Sequence, residues 1–185
     1  MDTPIPQSFG LSRPLRIGDV APDFQARTTQ GEVKLSGFQR RWLLFFSHPA
    51  DFTPVCTTEF MAFARAAERF AALDCALLAL SVDSLYAHLA WLRAIHEAHG
   101  VTIPFPVVED PSMAIARAYG MIDETSPDST TVRGSYVIDP QGVVQYAVTH
   151  NLSTGRSVDE TLRVLAAIQT GELCGSDWEP GQETL

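Results

Sequence analysis

The sequence lacks the long apolar segment that a membrane protein needs. None of its 185 residues belongs to an uninterrupted apolar run of about 18 or more residues, so no membrane-spanning helix is predicted. The opening segment MDTPIPQSFG has neither the basic region nor the apolar region of a secretory signal. We therefore expect a cytoplasmic protein with no membrane partner.

Positive charge is also scarce. Lys and Arg total 13 against 22 Asp and Glu, so the formal net charge is −9 and the isoelectric point is near 4.9. Nucleic-acid binding requires clustered Lys and Arg that neutralise phosphates, so we expect no nucleic-acid partner. A hydrophobic fraction of 45% over 185 residues is ordinary for one globular domain with a substantial core.

Cysteine is rare, and no two cysteines are spaced as CxxC. The three cysteines are Cys56, Cys75 and Cys174. This set excludes a dense disulfide framework, a thioredoxin-type CxxC motif and a zinc knuckle. Cys75 lies within an apolar strand pattern, so we interpret it as an inert core residue.

Histidines do not suggest a metal site either. His88, His96 and His99 lie along one predicted helix, but a zinc site there would need a fourth ligand that the sequence does not offer. Scattered surface histidines are the better interpretation. We expect no metal and no cofactor.

Apolar patterns predict an α/β protein. Buried strands are predicted in RWLLFFS, CALLALSV and FPVVED, and hairpins in DFQARTTQGEVKLSGF, with Gly31 in its turn, and SYVIDPQGVVQYAV. Helices are predicted in CTTEFMAFARAAERFAAL, SLYAHLAWLRAIHEAHG, SMAIARAYG and SVDETLRVLAAIQTG. Alternation of strands and helices indicates a sheet with helices on both faces. We predict one domain over residues 1–170 and a tail over residues 171–185.

Two helices carry further signals. In the second helix, an apolar stripe of Leu85, Leu89, Leu92 and His96 is predicted to form one face. In the last helix, Ser157 and Glu160 form a capping box.

Cys56 follows a loop constrained by proline. Thr53 is a good N-cap and Pro54 suits the first helical position, so Cys56 is predicted in the first turn of a helix. Free backbone N–H groups and the positive end of the helix dipole stabilise a thiolate there. From these residues alone Cys56 is either such a thiolate or a small buried hydrophobe, which is the commoner environment of a free cysteine.

The segment SHPADFTPVCTTEF contains Pro49, Thr53 and Cys56 in a PxxxTxxC pattern, and it resembles the one-Cys-type peroxiredoxins at nearly every position. The segments LSVDS…HLAW, TVRGSYVIDPQGVVQ and LSTGRSVDETLRVLAAIQ resemble later parts of the same family, and GELC…W…G…TL resembles the tail of typical two-Cys members. The likeness extends from about Leu15 to the last residue. It implies a thioredoxin-like fold with a central mixed sheet flanked by helices, an N-terminal hairpin and an extended C-terminal tail.

The resemblance implies a role for each matching residue. Cys56 would be the peroxidatic cysteine, which attacks a peroxide and becomes a sulfenic acid. Thr53 and Arg133 would bind the thiolate and the peroxide, Pro49 would shield the thiolate from water, and Glu59 would hold Arg133 and Arg156 in place. For Thr53 a helix cap, and for Pro49 loop rigidity, are simpler roles. His48 tunes the site or supports substrate binding, or it is a solvent-exposed residue without a role.

The tail presents the main alternative. The resemblance implies that Cys174 resolves the sulfenic acid as an interchain Cys56–Cys174 disulfide, in a homodimer that we expect to assemble into a decamer; otherwise Cys174 is an incidental exposed thiol.

The substrate would be hydrogen peroxide or an organic hydroperoxide, and the reductant a thiol partner such as thioredoxin or a flavoprotein reductase. A one-Cys cycle with an external thiol and a ring-forming holdase chaperone remain alternatives. The lack of CxxC argues against a general thiol–disulfide oxidoreductase.

Overall fold

A computed structural model describes residues 13–123, 125 and 128–185, so the first twelve residues of the predicted domain lie outside the described residues. The strands form one seven-stranded sheet in the order β2-β1-β5-β4-β3-β6-β7. They are β1 (Gln25–Thr28), β2 (Gly31–Lys34), β3 (Trp42–Ser47), β4 (Cys75–Ser81), β5 (Val107–Glu109), β6 (Arg133–Ile138) and β7 (Val144–His150). Strands β3, β4 and β5 run parallel and the remaining pairs are antiparallel, so the sheet is mixed as expected.

Helices cover both faces of this sheet. They are α1 (Pro54–Arg65), α2 (Ala67–Ala72), α3 (Leu85–His99), α4 (Ala114–Ala118) and α5 (Val158–Thr170). Side chains of α1, α2, α3 and α5 build the core on one face, and α4 contributes to the core on the other face. Within the described residues, no helix is long and apolar enough to cross a membrane.

Strand β3 shows why the central strands are continuous apolar runs. Leu44 and Phe46 point into one core, whereas Leu43 and Phe45 point into the other. Successive side chains of a strand point to opposite faces, so a strand covered on both faces is apolar at every position. Strand β3 ends at Ser47, which is buried in the core. The loop that leads to Cys56 begins at the next residue, His48, from this fixed position.

The turn glycine Gly31 and the N-cap Ser157 are confirmed, but the second half of the capping box is not, because the Glu160 carboxylate accepts hydrogen bonds from Arg163 instead. Gly31 opens β2 with φ +101°, a conformation that favours glycine. The Ser157 hydroxyl accepts a hydrogen bond from the Glu160 backbone N–H at 3.2 Å, and Gly171 closes α5 with φ +69°.

Two helix predictions were wrong. The first predicted helix is divided into α1 and α2 at the buried Ala66, where neither proline nor glycine marks a break. In α3 the buried residues are His88, Trp91 and Ile95, while Leu89 is 44% exposed. The predicted stripe is therefore only partly right: Leu92 packs against the core, whereas Leu89 and His96 are exposed. The large Trp91 ring and the hydrogen-bonded His88 occupy the fully buried positions instead.

The C-terminal tail forms no helix or strand and packs against α5. Trp178 is buried, and its carbonyl oxygen accepts a hydrogen bond from Arg163 at 3.2 Å. The backbone N–H of Leu185 donates to the Leu173 carbonyl at 2.8 Å, which closes the tail on itself. Trp178 thus anchors the segment that carries Cys174.

Candidate active site

Cys56 lies in the first turn of α1, where the sequence predicts it. Pro54 occupies the first helical position, and Thr53 is the N-cap with an extended backbone (φ −83°, ψ 147°). The Thr53 hydroxyl makes no cap bond; it donates instead to the Ala50 carbonyl at 2.9 Å. Thr53 therefore holds the loop before the helix. Because its hydroxyl does not bond the backbone N–H groups of the first turn, these remain free near Cys56.

An arginine from β6 contacts the Cys56 sulfur. Arg133 Nη1 donates to Cys56 Sγ at 3.3 Å, and Arg133 Nε donates to the Leu152 carbonyl at 2.8 Å. Cys56 and Arg133 are both buried, so water does not screen their interaction. A fixed guanidinium in this position stabilises a thiolate and any negative charge that develops nearby.

Glu59 holds Arg133 and Arg156 together. Its Oε2 accepts from Arg133 Nη1 at 2.7 Å and from Arg156 Nη2 at 2.7 Å, and its Oε1 accepts from Arg156 Nε at 2.8 Å. Burial opposes ionisation of Glu59, but the hydrogen bonds and charge of Arg156, helped by the charge of Arg133, lower its pKa below the ordinary value. One carboxylate between two guanidinium groups leaves a net positive charge beside Cys56.

Arg156 joins the site to the sheet. Its Nη1 donates to the Ser47 carbonyl at 2.9 Å and to the Gly134 carbonyl at 3.1 Å, and its guanidinium lies 4.9 Å from the centre of the Phe46 ring. These contacts fix Glu59, and Glu59 in turn fixes Arg133. Arg156 thus acts on the site through Glu59, and its contacts link α1, β3 and β6 at one point.

The structure brings the other loop residues of the prediction to the same place. Pro49 is buried at the end of β3 and Thr53 is half-buried. His48 is fully buried, so its interpretation as a solvent-exposed residue was wrong. Its ring packs against Phe60 and Trp91, with centroids 4.7 and 5.1 Å away, and apolar burial of this kind requires a polar partner for the imidazole.

That partner is Asp51, which sequence reasoning missed. Asp51 lies in the loop between His48 and Thr53, and its carboxylate bonds both His48 and His88. The interpretation of His88 as a surface residue was therefore also wrong, because this bond holds it in the interior, whereas His96 and His99 are exposed as predicted. The only signal in the sequence was an acidic residue in a short loop between two prolines.

The other two cysteines lie away from Cys56. Cys75 begins β4, and burial raises its pKa to about 12, which agrees with an inert core thiol. Cys174 is half-buried against the last turn of α5, with its Sγ 3.5 Å from Thr170 Oγ1 and 3.8 Å from the Ala167 carbonyl. The structure does not bring Cys174 to Cys56 within one subunit.

Comparisons with known proteins agree with this geometry. Residues 17–147 match the model of the AhpC/TSA family. Peroxiredoxin 2 of Thermoplasma acidophilum is 46% identical over 173 residues, which cover 91% of this chain and 86% of that protein.

Solved structures show the same fold. The reduced 2-Cys peroxiredoxin of Plasmodium vivax superposes with a TM-score of 0.84 at 35% identity, covering 92% of both chains. The yeast mitochondrial 1-Cys peroxiredoxin superposes with a TM-score of 0.85 at 35% identity, covering 91% of this chain and 84% of that one. The expected thioredoxin-like fold is therefore confirmed, and the chain belongs to the AhpC/TSA family of peroxiredoxins and is a thiol-dependent peroxidase.

Proposed function

We propose that Cys56 is the thiol that reduces the peroxide. The observation that carries this proposal is the 3.3 Å contact between Arg133 Nη1 and Cys56 Sγ, made by a guanidinium that Glu59 holds. The thiolate attacks the terminal oxygen of ROOH, the O–O bond breaks, and the leaving oxygen takes a proton as water or an alcohol. Cysteine sulfur is oxidised to the sulfenic acid as the peroxide is reduced.

Arg133 and Thr53 supply the hydrogen bonds for this step. Negative charge moves from the sulfur to the leaving oxygen, and a donor that is already in position stabilises that charge without reorganisation. The Thr53 hydroxyl lies one helical turn before Cys56 and can turn from the Ala50 carbonyl toward bound peroxide. Pro49, buried beside them, keeps water from the thiolate.

Hydrogen peroxide and organic hydroperoxides are the proposed substrates. In the proposed step Arg133 and Thr53 would bind the sulfur and the peroxide oxygens, so they would make no demand on the rest of the substrate. Phe52 is exposed in the loop, and Leu152, whose carbonyl binds Arg133, is exposed as well. These apolar side chains offer a surface for the alkyl group of an organic hydroperoxide.

The proposed second step uses Cys174 of the partner subunit. Within one subunit, Arg156 precedes α5 at the site while Ala167, which Cys174 contacts, lies eleven residues later, which places Cys174 roughly 16 Å along the helix from Arg156. A disulfide requires Cα atoms closer than about 7 Å. Resolution between subunits is therefore favoured: the Cys174 thiolate attacks the sulfenic sulfur, the S–S bond forms, and hydroxide leaves and is protonated to water.

A homodimer would place such a partner beside the site. Strand β7 has seven residues and lies at one edge of the sheet, beside β6. Among the described residues, its outer side makes backbone hydrogen bonds only at Val144, to Gly18 and Asp19, and is unpaired beyond that residue. An unpaired edge strand of this length is a template for a second chain. Pairing of two β7 strands would extend the sheet across the dimer.

Further assembly into a decamer is proposed through an apolar patch formed by Phe52, Tyr86 and Leu89, which are 58%, 74% and 44% exposed. Tyr86 and Leu89 lie three residues apart on one side of α3, and the Asp51–His88 hydrogen bond brings the loop of Phe52 to that helix. Exposed apolar side chains grouped in this way favour contact with another copy.

Thioredoxin or a flavoprotein reductase would then reduce the disulfide. The one-Cys cycle is the second candidate, because a relative of similar fold, the yeast mitochondrial 1-Cys peroxiredoxin, has its thiol resolved via glutathione/thioredoxin systems. In that cycle an external thiol would attack the Cys56 sulfenic acid and Cys174 would have no role.

The assignment of Cys56 is tested with Cys56→Ser. This variant should consume no peroxide at a rate above the background, while Cys75→Ser, the matched control at the inert thiol, should retain the rate of the wild-type protein. Peroxide consumption by Cys56→Ser at the wild-type rate would overturn the proposal.

A further inference from the structure

Three buried polar residues form a chain of hydrogen bonds behind the Cys56 loop. His48 Nε2 lies 2.8 Å from Asp51 Oδ1, and His88 Nδ1 lies 2.7 Å from Asp51 Oδ2. His88 Nε2 lies 3.1 Å from the Val108 carbonyl oxygen. Both histidine side chains are fully buried and that of Asp51 is 2% exposed. The peroxide chemistry proposed for Cys56 does not use this His48–Asp51–His88 cluster.

The hydrogen-bond partners of His88 favour the charged imidazolium. Its two nitrogens face a carboxylate oxygen and a carbonyl oxygen, which can only accept, so both nitrogens must donate, and an imidazole that donates twice is a cation. A proton on Asp51 would be the alternative. Burial opposes ionisation of Asp51, but the hydrogen bonds of His48 and His88 outweigh it and lower the pKa of Asp51 below the ordinary value, which favours the aspartate anion paired with a charged His88.

His48 remains neutral in this arrangement. It needs a single hydrogen, on Nε2, to bond Asp51, and burial lowers its pKa. Its Nδ1 has no hydrogen-bond partner among the described residues, which suits a nitrogen without a proton. Asp83 also faces the cluster, and its carboxylate accepts from the Asp51 backbone N–H at 3.0 Å and from the Ser81 hydroxyl at 2.7 Å.

We propose that His88 is a positioning residue: as a buried imidazolium paired with Asp51, it holds the loop between β3 and α1 in the conformation that reduces peroxide. The inference rests on the proposed role of Cys56. The loop needs such a restraint because Phe52, a non-glycine residue, has φ +61°. A strained residue of this kind persists only where its surroundings impose the conformation.

The restraint acts on both sides of the chain at Asp51. Its carboxylate is tied to His88 on α3, and its backbone N–H is tied to Asp83 before α3. Phe52 follows directly, and then Thr53, which is the N-cap of α1 and whose hydroxyl bonds the Ala50 carbonyl of the same loop. Without the charge on His88 the loop would relax at Phe52, and Thr53 and Cys56 would lose their fixed relation to Arg133.

The charge is tested directly by ¹⁵N NMR of the wild-type protein with labelled histidine near pH 7. We expect His88, identified by the signals missing from His88→Asn, to show a hydrogen on both ring nitrogens. A nitrogen without a hydrogen on His88 would overturn the proposal, and this result requires no variant to be active.

The positioning role is tested with a double-mutant cycle on the second-order rate constant for peroxide. His88→Asn and Asp51→Asn should each lower this constant by about tenfold or more, and the double variant should be no more than about twofold slower than the slower single variant. His99→Asn, at an exposed position of the same helix, is the matched control and should equal the wild type. Effects that multiply in the double variant, or a His88→Asn rate equal to that of the control, would overturn the proposal.

The two proposals can fail separately. If Cys56→Ser retains peroxide consumption, the proposed function fails whatever the cluster does. If Cys56→Ser is inactive and His88→Asn is as active as His99→Asn, the positioning role fails and the role of Cys56 stands.

Discussion

Arg156 donates three hydrogen bonds to Glu59, from its backbone nitrogen at 2.8 Å, from Nε at 2.8 Å and from Nη2 at 2.7 Å. Arg156 has no described hydrogen bond to Cys56, so its influence on the sulfur passes through Glu59 to Arg133. The position of the Arg133 guanidinium therefore depends on Arg156, which lies 23 residues later in the sequence.

We expect Glu59→Gln to damage both stability and activity. A glutamine cannot neutralise two buried guanidinium groups, and removing one partner of a buried ion pair costs about 3–5 kcal/mol. Urea unfolding should show this loss, and the rate constant for peroxide should fall by about a hundredfold because Arg133 is no longer held. Glu68→Gln, at an exposed position of α2, should change neither quantity. A fully active Glu59→Gln would contradict the support role.

Arg133→Lys should retain the fold but lose activity. Lysine carries the charge but lacks the planar fork that bonds Cys56, Glu59 and the Leu152 carbonyl together. We expect the rate constant for peroxide, measured by stopped flow, to fall by about ten- to a hundredfold. Arg69→Lys, at the exposed pair with Asp159, is the control, and equal rates in the two variants would contradict the role of Arg133.

Thr53→Val should separate the hydroxyl from the shape of the side chain. Valine is close in shape, and the hydroxyl makes no helix cap, so the stability cost should be limited to the lost hydrogen bond to the Ala50 carbonyl, about 1 kcal/mol. Loss of a donor to the developing oxyanion should lower the rate constant by about a hundredfold or more, and Thr53→Ser should restore most of it. Thr58→Val is the matched control, because its hydroxyl bonds only the Val55 carbonyl on an exposed turn. A Thr53→Val variant as fast as this control would exclude the hydroxyl from the reaction.

Cys174→Ser should abolish the covalent dimer. After one equivalent of peroxide, non-reducing electrophoresis and mass spectrometry should show a Cys56–Cys174 disulfide between two subunits of the wild type. Cys75→Ser should still form it, since Cys75 is an inert core thiol. A sulfenic acid that persists in wild type and Cys174→Ser alike would favour the one-Cys cycle with an external thiol.

Stability should fall in acid more than exposed carboxylates would predict. Glu59 and Asp51 have folded-state pKa values below their ordinary values, so each contributes stability above the unfolded pKa of about 4. That contribution is lost as the pH falls through the lower folded-state pKa. Urea unfolding between about pH 7 and pH 3 should therefore show a steeper loss for the wild type than for Glu59→Gln. Parallel curves for the two proteins would contradict this linkage.

The fold could be predicted where the signal was local. The continuous apolar runs of β3 and β4 indicated strands buried on both faces, and Thr53 and Pro54 indicated the start of α1. The break at Ala66 could not be predicted, because it carries no proline or glycine. Tertiary packing decided that boundary.

The site could be predicted only in part. Arg133 and Cys56 are separated by 77 residues, and no periodicity relates them, so their contact followed from a family resemblance and not from local physics. His88 and Asp51 are separated by 37 residues, and that contact decides which face of α3 is buried. A helical pattern read from α3 alone favoured leucines, because the partner of His88 lies on another element.

The distance of Cys174 from the site within one subunit affects how long the oxidised form of Cys56 persists. In one subunit, Cys75 lies opposite Trp42 in the register of β4 with β3, at the start of β3, and Cys174 lies at the far end of α5. Neither thiol is therefore at the site. Under the proposed cycle, the lifetime of the Cys56 sulfenic acid then depends on how often subunits associate. Dilution would prolong that lifetime, so the concentration of the protein would determine how long the Cys56 sulfenic acid persists after exposure to peroxide.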